Sequence, residues 1–93
     1  MAKPLYVYED EFQLGVDNER RYQRAKWGAG ELSHDAVEWA AILSMKLGDL
    51  SRVALGAAPK TERDTVLAQL VQIAAVCKAA YASVSIQAEE VRE

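Results

Sequence analysis

The sequence is short of several things, and each shortage closes a possibility. It has one cysteine, Cys77, so no disulfide can form within the chain. It has one histidine, His34, with no Cys/His company at ligand spacing, so a zinc site of the usual kind is not expected. It has no block of like charge. Fourteen acids against eleven bases leave a net charge of -3, which disfavours a general nucleic-acid-binding role. No uninterrupted apolar run reaches spanning length and no secretory pattern opens the chain, so neither a membrane partner nor export is expected, and the reading is cytoplasmic.

What remains is helix-forming material. With 93 residues, the chain is expected to form a single domain, 1–93, whose small core makes oligomerisation a common remedy. Residues 1–8 are expected to be extended, since Pro4 and the aromatic and β-branched residues after it disfavour helix. Residues 9–26 are polar and helix-compatible, with Phe12 and Val16 able to dock one face. Gly15 is the weak point, at a cost of about 1 kcal/mol against alanine. "WGAGELS", 27–33, reads as a loop.

A second helix is expected over 35–55, with Asp35 and Glu38 as a capping box. Ala36, Ala40, Leu43, Leu47, Leu50 and Ala54 form its apolar stripe, widened by Trp39, Ile42 and Val53. Gly56 and Pro59 end it. After a short turn, a third helix is expected over 62–87, capped by Thr61 with Asp64. Its stripe is Val66, Leu70, Ile73, Cys77, Tyr81 and Val84, with Gln69, Gln72, Val76 and Ala80 as a second row. Its many alanines keep it slim enough for a neighbour to approach closely. Residues 88–93 are expected to fray. A lone helical hairpin cannot hide such broad apolar arcs, and the first helix is too polar to cover them. The expected fold is therefore all-α, a helical hairpin plus an N-terminal helix. Two such chains pair into a four-helix-bundle homo-oligomer, dimer or tetramer.

Three segments carry a resemblance. "ERRYQRAKWG", Glu19 to Gly28, resembles the entry segment of small phage and bacterial MazG-like proteins, which tend to read E-R-x-x-Q-x-x-K-W-G. "WAAILSMKLGD", Trp39 to Asp49, stands where that family has W-x-x-I-L-x-E-E-x-G-E, and "QLVQIAAV", Gln69 to Val76, resembles its next helix. The resemblance implies an all-α nucleoside triphosphate pyrophosphohydrolase fold. Such enzymes cut an NTP to monophosphate and pyrophosphate with Mg²⁺ held by acids of both helices.

Carried over, those acid positions fall on Met45, Lys46, Asp49 and Gln69, and Gln72 stands where longer members have Asp. Only Asp49 is still a carboxylate, and it is the one residue left for a catalytic or metal-binding role. Met45 offers a soft sulfur to a hard ion, and Gln69 a neutral carbonyl. At an effective dielectric of about 20, a dication about 5 Å from the Lys46 ammonium is repelled by several kcal/mol.

The expectation is thus a divergent, hydrolytically impaired protein that keeps the oligomeric scaffold and binds a nucleotide, with Lys46, Gln69, Gln72 and Trp27 as contacts. Lys46 with Arg52 would take a phosphate in place of a metal. One alternative is an active Mg²⁺ enzyme that recruits Glu38, Glu62 or Asp64. The other is an interaction module of phage or mobile-element origin. Plainer readings stand beside these. Lys46 and Asp49 would be an i, i+3 surface pair. Met45 would be bundle packing, and the two glutamines inter-helix hydrogen bonds. Cys77 would be a buried inert thiol, His34 a loop contact, and Trp27 and Trp39 anchors between elements.

Overall fold

The computed structural model describes residues 2–56 and 61–92. Its elements are α1 (Leu5–Trp27), a 3₁₀ segment (Gly28–Ser33), α2 (Ala36–Gly56) and α3 (Thr61–Arg92). There is no strand among the described residues, so the all-α expectation holds.

The first helix starts earlier than its sequence suggests. Pro4 keeps an extended ψ of 149° and stays outside the helix, while its carbonyl accepts the Val7 N–H at 3.0 Å. Lys3 then ties the start down: its Nζ donates to Glu11 Oε1 at 2.7 Å and its backbone N–H to the Tyr8 hydroxyl at 3.0 Å. These contacts override the weak β preference of Leu5–Tyr8, so only residues 2–4 of the expected extended segment are non-helical. The expected loop at 27–33 is likewise a 3₁₀ helix from Gly28 on. Gly28 makes the break with φ 59°, a left-handed value that a side chain would strain, and its N–H caps the Arg24 carbonyl.

The second helix has its capping box. Asp35 Oδ1 accepts the Glu38 N–H at 2.8 Å and Glu38 Oε1 accepts the Asp35 N–H at 3.4 Å. The third helix does not fray at 88 but continues to Arg92. The turn at 57–60 and the Thr61 cap lie outside the described residues and side chains.

The third helix lies against both others, whereas the backbones of α1 and α2 do not come close to each other among the described residues. Trp39 packs on Val76 and Ala79, and Ile42, Leu43 and Ala80 close around them. Early α2 thus meets late α3, an antiparallel hairpin. On the other side, Asp17 meets Lys78, and Leu32 and His34 meet Ser83 and Gln87, so α1 runs parallel to α3. Ala75, Ala79 and Ser83, four apart, are fully buried. Their small size lets neighbours come close, and Gly15 exploits this, since a Cβ there would sit 3.3 Å from Val71 Cγ2.

The buried faces are not the expected stripes. On α2, Ala36, Ala40, Leu47 and Ala54 are exposed, and Trp39 is the buried residue. On α3, Leu70, Tyr81, Val84 and Cys77 are exposed, and the alanine-rich rows beside them are covered instead. Closest approach favours the small residues, which leaves the bulky stripe facing outward. Cys77 is therefore not a buried thiol within the chain. By length and composition, Arg63–Val91 is apolar enough to cross a membrane, with a mean hydropathy of 1.4 over its best window.

Candidate functional site

Residues of α2 and α3 that the sequence singles out do come together. Lys46 and Asp49, three apart on α2, and Gln69 and Gln72, three apart on α3, line one small cavity of about 30 Å³ with Ile73. That is room for little more than a water or a single polar group. Lys46 also borders a larger cavity of about 420 Å³, lined among others by Trp27, Glu31, His34, Trp39, Ile42 and Met45. The two cavities therefore share one residue, Lys46.

The small cavity is electrostatically unlike a Mg²⁺ site. Asp49 is its one carboxylate, and Asp49 Oδ1 accepts a hydrogen bond from Arg52 Nη2 rather than from Lys46. The expected Lys46–Asp49 pair is thus not formed, and Arg52 is spent on Asp49 instead of standing with Lys46. Met45 is 61 % exposed in the single chain and belongs to the larger cavity, so the packing expected of it has no partner here. Glu38 is occupied by its cap and by His34 Nδ1, 2.9 Å away. Asp64 is exposed and lines neither cavity, and the Glu62 side chain lies outside the description. No group of three or more His, Cys, Asp or Glu stands ready for a metal among the described residues. The residues present do not fit a Mg²⁺ ion, which wants several oxygen ligands and at least one free carboxylate.

Two buried polar atoms lack a partner among the described residues, the Gln69 Oε1 acceptor and the Trp39 Nε1–H donor. Within the single chain, Gln69 Oε1 makes no inter-helix hydrogen bond to the described residues. An orphan of this kind costs about 1–3 kcal/mol until something satisfies it. Gln69 is a lining residue of the small cavity and Trp39 of the large one, while both orphan atoms are themselves closed to solvent. The His34 ring meets Trp39 edge to face at 5.1 Å and 85°, and Lys26 Nζ sits 5.6 Å over the half-exposed Trp27 ring. Trp39 is the anchor expected of it, and Trp27 is an open aromatic surface at the cavity's edge.

Sequence reasoning missed the wall of this cavity. Arg20 is held by three hydrogen bonds: Nη1 donates to Gln23 Oε1 at 3.0 Å and Glu31 Oε2 at 3.2 Å, and Nη2 to Glu31 Oε1 at 2.7 Å. All three side chains are buried. The pair bolts the 3₁₀ segment to α1, and Ser83 and Gln87 bolt it to α3 through the Leu32 and His34 carbonyls. The visible signal was Gln23 following Arg20 by three inside the E-R-x-x-Q segment; nothing in the glycine-rich stretch marked Glu31 as their partner. Elsewhere, the hydrogen bond from Lys78 holds the Asp17 carboxyl below its usual range, against partial desolvation.

No family model, no curated protein and no solved structure matches this chain.

Proposed function

We propose that the chain is a divergent MazG-like protein that binds a nucleotide without hydrolysing it and works as a homo-oligomer, dimer or tetramer. The observation that carries this reading is the pair of adjoining cavities that share Lys46, one lined by aromatic and apolar residues and the other by Asp49, Gln69 and Gln72. The larger cavity offers aromatic and apolar walls of the kind a base fills, and Lys46 offers a charge for a phosphate. The lone, arginine-paired carboxylate supports binding without turnover, because no acidic cluster among the described residues gathers a hard dication or activates water. Pairing of chains is supported by the outward apolar stripes of α2 and α3.

Calorimetry with a panel of NTPs and dNTPs, with and without Mg²⁺, together with a pyrophosphate-release assay, tests this. The expected result is saturable, metal-independent binding of at least one nucleotide, weakened about tenfold by Lys46→Ala, with no pyrophosphate formed. Metal-dependent release abolished by Asp49→Ala would replace this reading with that of an active pyrophosphohydrolase. No heat with any nucleotide would favour an interaction module.

A further inference from the structure

A further cavity, of about 350 Å³, lies between α1 and α3, and its chemistry is different. It is lined by Asp17, Arg20, Arg21, Arg24, Lys78 and Ala82. Four cations face one carboxylate there, and with Arg20 neutralised by Glu31 the surplus is still about +2 on a chain whose overall charge is -3.

The internal partners do not use up this charge. Asp17 is already committed to Lys78 Nζ at 3.0 Å and to Gln13 Nε2 at 3.1 Å. Arg21 has only the neutral Asn18 Oδ1, at 3.3 Å. Arg24 has no side-chain acceptor among the described residues. Arg20 gives three N–H groups to Gln23 and Glu31, and a guanidinium has five, so two have no protein acceptor there. A place in the last turn of α1, where a cation complements the helix dipole, accounts for Arg24. It does not account for Arg21, or for Lys78 arriving from another helix.

We propose that this groove is a binding site for a small oligophosphate anion such as pyrophosphate or the phosphate tail of a nucleotide. Guanidinium groups are suited to forked hydrogen bonding of phosphate oxygens. Arg20, pinned by its buried partners, is a preorganised member of the set, and Arg21 and Arg24 are exposed arms that close on the ligand. The groove has the size of a pocket rather than a track, and the acidic remainder of the chain repels a long polyanion, so a nucleic-acid strand is the poorer fit. The site shares no lining residue with the cavities at Lys46.

The test is calorimetry of the full chain with sodium pyrophosphate, with ATP and with a single-stranded oligonucleotide. The proteins are the wild type, the Arg21→Gln/Arg24→Gln double variant and Lys46→Ala. Both arginines are exposed, and circular dichroism checks that the double variant keeps its helices. The expected result is saturable pyrophosphate binding that weakens with added salt, falls about tenfold or more in the double variant and is unchanged in Lys46→Ala. An ATP-binding component that persists in Lys46→Ala and is lost in the double variant identifies the nucleotide tail as a source, and ATP binding wholly insensitive to the double variant identifies free pyrophosphate. No saturable pyrophosphate binding, equal loss in Lys46→Ala, or tighter binding of the oligonucleotide would each overturn the proposal. Failure of the nucleotide site at Lys46 leaves the pyrophosphate result, taken without any nucleotide present, unaffected.

Discussion

At the scale of the residue, the most consequential side chains are Arg20 and Glu31. Their carboxylate–guanidinium pair is bidentate and about nine-tenths buried on both sides. Removing one partner of such a pair strands a charge away from water, which costs about 3–5 kcal/mol, whereas replacing both with apolar groups is often close to neutral. Arg20→Ala is therefore expected to lower the denaturation midpoint sharply, by about 3 kcal/mol of stability. Arg20→Met with Glu31→Leu should recover most of that loss. Chemical denaturation of the three proteins checks it, and equal loss in the single and double variants would refute the assignment. This pair was illegible in the sequence because eleven residues and a glycine-rich stretch separate its members. Asp49 shows a different limit. Lys46 precedes it by three and Arg52 follows it by three, so helical spacing alone could not choose its partner. The structure chooses Arg52.

At the scale of the element, α2 was the most legible. Its apolar periodicity and the Asp35–Glu38 box placed both ends within a residue of 36 and 56. The N-terminus was illegible because propensity argued against helix while the contacts of Lys3 argued for it. The rows of α3 were legible as rows, but not as inside and outside. Sequence ranks apolar residues by size, and here the closest approach selects alanine and serine. Gly15 tests that account of close approach. Alanine there gains about 1 kcal/mol of helix propensity but must displace Val71, so the net stabilisation should fall well short of that figure. Gly15→Leu should push α1 off α3 and lower the melting temperature. If Gly15→Leu melts at or above the wild type, α1 does not pack as described.

At the scale of the whole molecule, the chain is long and thin, 54 × 29 × 22 Å, with a radius of gyration of 15.5 Å. A compact domain of this length would have about 12 Å. The difference is apolar surface left outside. Ala36, Ala40, Leu43, Tyr81 and Val84 line an apolar groove on the face of α2 and α3 away from α1. Exposed apolar area on this scale usually marks an interface. With the pairing we propose, sedimentation should show a dimer or tetramer at micromolar concentration. Leu43→Glu with Tyr81→Glu should shift the protein towards monomer while the helical signal is kept. A wild type that sediments as a monomer at all concentrations would remove the pairing. Burial of Cys77 in that assembly would be visible as protection from thiol reagents that is lost in the same variant.

The buried arginine has one further implication. Its guanidinium lines the cationic groove, while the carboxylate and amide it grips line the aromatic chamber on the other side. Whatever tugs at one end of that partition is felt at the other. Occupants of the two compartments would then not bind independently: each would change the affinity of the other by the same factor, a thermodynamic conversation conducted through a single side chain.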